Sequence, residues 1–288
     1  MFLIRIPNKV VIVTGANKGI GYETAKELSR RGGRVILACR NLTKAQEAAS
    51  KIQAETGNDV VVKHLDLASF KSIVAFTKDI IKNEEKVDIL INNAGTGVLD
   101  NSLTEDNLPI EAQVNHFGPF LLTMLLLPAM KNLEETARII NVTSIMHRFG
   151  TIENLDKQGK TFLERRRVYS NTKLANILFT QKLAEKVFMI NDNIVVNCCH
   201  PGAVYTDIFQ HQPTLVKLIF KLVFLTPRQG AQTPLFLALG RIKPGLRTSG
   251  RYFTNCKEVK PHSVALDHGK ADRLWNLSLK VCFSTSQW

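Results

Sequence analysis

The 288-residue chain lacks several things, and each absence narrows what it can be. No run of about eighteen apolar residues occurs, the length a membrane-spanning helix needs. The apolar opening, residues 1–7, is too short for a secretion signal. The expectation is therefore a cytoplasmic protein, or one held peripherally on the cytosolic face of a membrane. The cysteines number five, with no Cys-x-x-Cys pair and no metal-ligand spacing. That suits a reducing compartment and gives no metal site. Cys198 and Cys199 adjoin inside an apolar run and read as small buried hydrophobes. Aromatics make up only 7% of residues, and the net charge of +13 is scattered. Without a basic stripe interleaved with aromatics, nucleic acid is not an expected partner. A basic surface drawing in a phosphate cofactor or an anionic membrane fits better. No linker, repeat or low-complexity segment appears, so residues 1–288 read as a single domain.

What is present begins with Val10–Val13, a continuous β-branched run that suits a strand buried on both faces. Gly15, Gly19 and Gly21 follow, and then an apolar pattern at helical spacing through Arg31. A strand, a glycine-rich turn and a helix let backbone amides and a helix N-terminus hold a phosphate. Gly15 allows the tight turn, Gly19 a close approach to pyrophosphate, and Gly21 close packing of helix on sheet. Without more, the same pattern also fits an ordinary strand-to-helix turn.

Strand and helix then alternate. Strands are predicted at 34–39, 60–65, 87–92, 138–143 and 193–199, and helices at 42–56, 69–84, 110–133 and 169–188. Regular alternation of apolar strands with helices gives an α/β fold: a doubly wound parallel sheet with helices on both faces. Three stretches break it: an irregular 146–168, a long connection at 203–226, and a mixed 241–287 with a last strand at 250–254. The first two follow strands whose carboxyl ends face the ligand edge of such a sheet. Residues 203–230 are read as a substrate loop or lid, and 255–288 as a C-terminal extension. The segment 214–226 is apolar nearly all round, with Lys217 and Lys221 on one side. It is too short to span a bilayer. It fits a lid that touches a membrane surface, and equally a core helix or a homodimer interface.

Tyr169 and Lys173 stand four apart, on one face of a helix. An ammonium beside a phenol of ordinary pKa about 10 favours the phenolate and is expected to lower that value. Tyr169 would then exchange protons near neutral pH. Ser144 closes a strand, where its hydroxyl can meet a substrate oxygen. Asn115 interrupts an apolar helix, either as a site residue or as a buried structural amide. At the end of the second strand, Ala38-Cys39-Arg40-Asn41 carries no acid. Sites for NAD place an acid there for the ribose 2′-hydroxyl. Arg40, helped by Lys18, instead suits a 2′-phosphate, unless both are merely solvated. The expectation is NADP(H) over NAD(H).

Thr14-Gly-x-x-x-Gly19-x-Gly21, Asn92-Asn93-Ala94-Gly95, Asn115, Ser144, Tyr169-x-x-x-Lys173 and Pro201-Gly202-x-x-x-Thr206 stand in the order found in short-chain dehydrogenase/reductases. The chain resembles that superfamily over residues 8–255. Cys39-Arg40-Asn41, Asp66-Leu67-Ala-Ser69 and Tyr169-Ser-Asn-Thr-Lys-Leu-Ala-Asn176 resemble its retinol dehydrogenase branch. The resemblance implies a Rossmann-type fold. It implies Tyr169 as acid/base, Lys173 on the nicotinamide ribose, Ser144 orienting the carbonyl, and Asn115 holding a water in a proton relay. It implies cofactor contacts at Gly15, Asn17, Lys18, Gly19, Ile20, Gly21, Arg40, Asn41, Asp66, Leu67, Asn93, Ala94, Gly95, Tyr169, Lys173, Pro201, Gly202, Val204 and Thr206.

The function expected is hydride transfer between NADP(H) and the carbonyl or alcohol of a small apolar substrate, retinol- or retinal-like by resemblance. Reduction of other lipid aldehydes, steroids or xenobiotic carbonyls is the alternative within the class. A catalytically silent nucleotide-binding scaffold is the alternative outside it.

Overall fold

The computed structural model describes residues 4–97, 102–130, 135–159, 161–190, 193–203, 225–240 and 248–283. One sheet runs through it, built from β1 (Val10–Thr14), β2 (Arg34–Cys39), β3 (Val61–His64), β4 (Ile89–Asn92), β5 (Ala137–Val142), β6 (Ile194–His200), β7 (Tyr252–Thr254) and β8 (Lys257–Glu258). The strands lie in the order β3-β2-β1-β4-β5-β6-β7-β8. All neighbours are parallel except β8, which turns back antiparallel along β7.

Successive strand residues point to opposite faces. Val10 and Ile12 enter one core while Val11 and Val13 enter the other. Cys198 and Cys199 divide the same way, both fully buried and free. Both faces are covered, so the strand centres are mostly apolar, and the strands read as runs rather than as alternations. Helices α1 (Gly19–Arg30) and α2 (Leu42–Thr56) cover one face. Helix α3 (Phe70–Asn83) packs on the other. Winding reverses between β1 and β4, which opens a crevice at their carboxyl ends.

The predicted strands are present, β2 and α2 with the predicted ends. The expected single helix over 110–133 is interrupted. A short α4 (Ile110–Ala112) passes through a π-turn, Gln113–Phe117, into α5 (Gly118–Met130). Pro119 has no N–H to close the next α-turn on the Asn115 carbonyl. The ladder instead closes from the Gly118 amide to the Gln113 carbonyl.

Helix α6 (Phe162–Ile190) starts seven residues before Tyr169, inside the stretch expected to be irregular. Thr161 and Glu164 explain the start. The Glu164 amide donates to Thr161 Oγ1 at 3.2 Å, and the Thr161 amide donates to Glu164 Oε2 at 2.9 Å. That reciprocal pair is a capping box. Helix α7 (Gln232–Leu239) joins α1 and α2 on their face. The mixed C-terminal stretch holds α8 (His268–Phe283), which was not expected. It buries Leu274, Trp275 and Cys282 in the core shared with α5 and α6, with Trp275 edge-on to Phe120 at 5.3 Å.

Gly21 seats α1 on the sheet. A Cβ there would lie 2.5 Å from Asn93 Nδ2 and 2.6 Å from the Gly15 carbonyl oxygen. Overpacking of this kind costs about 1–3 kcal/mol. Gly21→Ala should therefore lower the melting temperature by about 2–10 °C, measured by circular dichroism. An unchanged melting temperature would show that α1 can lift off the sheet without loss.

Candidate active site

The crevice is stitched together by one hydroxyl. Thr14 Oγ1 donates to the Ile91 carbonyl at 3.4 Å and accepts the amides of Asn93 and Ala94 at 3.0 and 2.9 Å. Asn93 Nδ2 returns a bond to the Thr14 carbonyl at 2.8 Å. The loops after β1 and β4 are thereby fixed to each other. Gly15 turns in the left-handed region at φ 65°, where a Cβ would press to 3.0 Å of Ala94. Gly19 is also left-handed, at φ 61°, and a Cβ there would meet nothing within 4 Å. Helix α1 begins at Gly19 with no side-chain cap. Its first amides and the open space before Gly19 form a cradle that fits a pyrophosphate. Asn17, Lys18 and Ile20 border the cradle along the same turn.

The other positions expected to contact a cofactor follow the carboxyl ends of β2, β3, β4 and β6. Arg40 is exposed at the end of β2, with no hydrogen bond or ion pair among the described residues. Cys39, just before it, is buried with its thiol near the Ala16 and Asn17 amides, and burial pushes that thiol up. The Asn41 side chain accepts the Lys44 amide at 2.9 Å and caps α2. Asp66 accepts the Ala68 amide at 2.9 Å and Leu67 is buried behind it. Beyond β6, Pro201 and Gly202 lead to Ala203, whose carbonyl accepts the Leu225 amide at 2.7 Å. Val204 and Thr206 lie outside the described residues, as does most of the expected lid.

The chemical groups converge from three elements. Ser144 lies two residues beyond β5 and caps a 3-10 turn, Ile145–Phe149, accepting the Met146 amide at 3.3 Å. His147 in that turn is buried, with Nδ1 2.8 Å from the Ser144 carbonyl and Nε2 accepting the His262 amide at 3.2 Å. It ties the C-terminal extension to the serine. Tyr169 and Lys173 come from α6, with Lys173 Nζ 5.4 Å from the Tyr169 ring centre. Lys173 is buried and donates to the Val142 carbonyl at 3.4 Å. Asn115 sits in the π-turn. It exchanges both its amide groups with the Thr96 backbone at 2.8 Å and reaches Thr172 Oγ1 at 3.1 Å. Gly95 lies between, where a Cβ would come within 3.3 Å of both Asn115 Oδ1 and Lys173 Nζ.

The electrostatics differ from the expectation for Tyr169. Burial pushes its phenol up, the Ser144 hydroxyl pulls back, and a nearby carboxyl, Glu111, adds to the rise. Burial also brings the Lys173 ammonium down to about 8, with Glu111 pulling it up. The lysine's proximity alone predicts a lowered phenol, and desolvation, which opposes the charged form of both groups, outweighs it. That expectation also passes over Glu111, a lone acid in an apolar run and hence a visible signal. Histidines 116 and 200 are pushed down to about 4 by burial. His116 faces Ser278 Oγ of α8 at 2.8 Å, in the core. Among the described residues no cluster suits a metal ion, and no helix is long and apolar enough to cross a membrane.

The family model for short chain dehydrogenases matches residues 9–215. Retinol dehydrogenase 12 of Mus musculus is 43% identical, over 96% of this chain and 87% of that protein. Retinol dehydrogenase 11 of Homo sapiens is 42% identical, over 96% and 86%. Among solved structures, an uncharacterized protein from Mycobacterium Paratuberculosis aligns with a TM-score of 0.76 at 29% identity, covering 98% of this chain and 97% of that one. A structure assigned as a short chain dehydrogenase of Escherichia coli, complexed with NADPH, aligns at 0.68 and 25% identity, covering 88% and 98%.

Lys173 carries a stability consequence. Folded, it gives up its proton near 8; unfolded, it keeps it to the ordinary 10.5. Between those values the unfolded chain binds more protons, so this group's contribution improves as pH rises. A buried ammonium with a single long bond to a carbonyl carries a desolvation cost that an apolar side chain of similar length does not. Lys173→Met should therefore melt at or above the wild-type temperature at pH 7, with the gap closing toward pH 10. A clearly lower melting temperature at pH 7 would show that the lysine is a structural strut.

Proposed function

Given that this chain belongs to the short-chain dehydrogenase family, in its retinol dehydrogenase-like branch, we propose that it is an NADP(H)-dependent oxidoreductase of small apolar carbonyls or alcohols. The observation that carries the reading is the convergence of Ser144, Tyr169 and buried Lys173 beside the glycine cradle. When bound, the nicotinamide supplies or takes the hydride. The chain's own groups handle the oxygen and its proton. Ser144 Oγ donates a hydrogen bond to the substrate oxygen and holds it against Tyr169. The Tyr169 hydroxyl gives its proton to that oxygen during reduction and takes it back during oxidation. The Lys173 ammonium stabilises the phenolate as it forms and reaches the ribose hydroxyls. Gly15, Gly19 and Gly21 admit the pyrophosphate to the α1 amides, and Asn93, Ala94 and Gly95 wall the opposite side.

Two observations support the finer points. Arg40 is exposed and unpaired among the described residues where an NAD site would carry an acid, which favours a 2′-phosphate. Ile145, Met146 and Phe149 are exposed on the turn that follows Ser144, at 38%, 39% and 67%. They offer an apolar surface next to the reacting oxygen. The retinol dehydrogenases it resembles make retinal the first substrate to test. Residues 214–226, apolar with Lys217 and Lys221, would serve as lid and peripheral membrane contact on this reading.

Purified protein assayed with NADPH and NADH against retinal, medium-chain aldehydes and steroid ketones tests the class and the substrate together. Tyr169→Phe keeps the ring and removes the proton, so kcat should fall by about 10²–10⁴-fold, with NADPH affinity little changed by fluorescence titration. Wild-type turnover in that variant would end the mechanism.

Cofactor choice has its own measurement. Loss of a hydrogen bond to a charged group costs roughly 1.5–3 kcal/mol, or about 10- to 150-fold. Arg40→Ala should raise KM for NADPH by about that factor and leave NADH kinetics alone. Cys39→Asp should shift preference further toward NADH, since a carboxylate there repels the phosphate. A wild-type enzyme that prefers NADH would show that the end of β2 reads a ribose hydroxyl instead.

A further inference from the structure

Three acids are buried among the described residues: Glu84, Asp88 and Glu111. Glu84 holds Arg34 through two bonds, at 2.7 and 2.8 Å. Asp88 holds Lys9 Nζ and the Val10 amide, both at 2.9 Å. Glu111, 5% exposed, has no hydrogen bond or ion pair among the described residues. An unpaired buried carboxyl destabilises a fold, so its place calls for an explanation.

Its place is one turn before Asn115, on α4, which packs against α6. Lys173 is the charged group that acts on it, and Glu111 in turn acts on both Lys173 and Tyr169. Other ionisable groups nearby are engaged elsewhere. Asp106 accepts the Phe70 amide at 2.8 Å and Gln113 Nε2 at 2.5 Å. His116 faces Ser278 and the rings of Phe117 and Phe179. Burial pushes the Glu111 carboxyl up to about 8, the same range to which burial brings Lys173 down.

We propose that Glu111 is a positioning residue of the Tyr169–Lys173 pair: its mostly buried carboxyl, on the α4 turn packed against α6 and four residues before Asn115, which bonds Thr172 beside Lys173, sets how firmly the pair holds its protons. As a carboxylate it favours the Lys173 ammonium and opposes the Tyr169 phenolate. Both effects keep protons on the pair, the state that carbonyl reduction draws on. The catalytic meaning of this proposal rests on the oxidoreductase reading above.

The test reads the tyrosine without turnover. The full chain has four tyrosines, so ¹³Cζ-tyrosine labelling gives few resonances, and the Tyr169 signal is the one lost in Tyr169→Phe. In Glu111→Gln, which keeps the shape and removes the charge, the Tyr169 midpoint should fall by about one pH unit. Glu111→Asp should bring it back toward wild type. The basic limb of kcat/KM for carbonyl reduction should move down with it. A Tyr169 midpoint that stays put in Glu111→Gln overturns the proposal, as does an activity loss equal at every pH. Failure of the wild-type protein to reduce any carbonyl counts against the functional reading alone, because the titration needs no substrate.

Discussion

The site depends on a reversal of winding. Strands added to one side of β1 and then to the other leave β1 and β4 as neighbours with their connections departing in opposite directions. A crevice opens where the two chains part, and nothing in the sheet ladder closes it. Thr14 supplies the closure. Its hydroxyl uses its donor and both acceptor positions on Ile91, Asn93 and Ala94. A second tie lies one layer deeper. Asn92 and Asn141, which pair across β4 and β5, link through their amides to Thr123 of α5 and Thr180 of α6. Helix α5, which continues from the π-turn holding Asn115, and helix α6, which carries Tyr169, are thus referenced to the sheet by polar bonds as well as by apolar packing.

Around that frame two ionisable groups are held at an energetic disadvantage. Lys173 is almost fully enclosed, with one long bond to a carbonyl, and Glu111 is mostly buried, with no hydrogen bond or ion pair among the described residues. Each charge disfavours itself by desolvation and is partly restored by the other. The same burial that weakens the fold at this point raises the Tyr169 phenol above its ordinary value.

The secondary elements were largely legible because both faces of the sheet are covered. That condition forces runs such as Val10–Val13 and 35–39 to be apolar, and such runs are easily read. The start of α6 was legible too, in Thr161-Phe-Leu-Glu164, but the capping signal was overlooked for the polar look of its surroundings. Helix α8 was hidden for a different reason. Its core contacts, Trp275 with Phe120 and Ser278 with His116, join segments far apart in sequence. No local pattern announces which face of a mixed stretch will find a partner.

For the site, the sequence by itself determined which groups could react and in what order they lie along the chain. Glycines where a turn needs them, a tyrosine and a lysine one helical turn apart, and a strand end without an acid are local facts, because spacing along one element fixes them. The direction of the Tyr169 shift, the enclosure of Lys173, the seat of Asn115 against Thr96 and the arrival of Glu111 were decided by tertiary structure alone. Each depends on how much water is excluded and on which charges three separate elements bring together, and a protonation state follows from that surrounding volume rather than from the residue type.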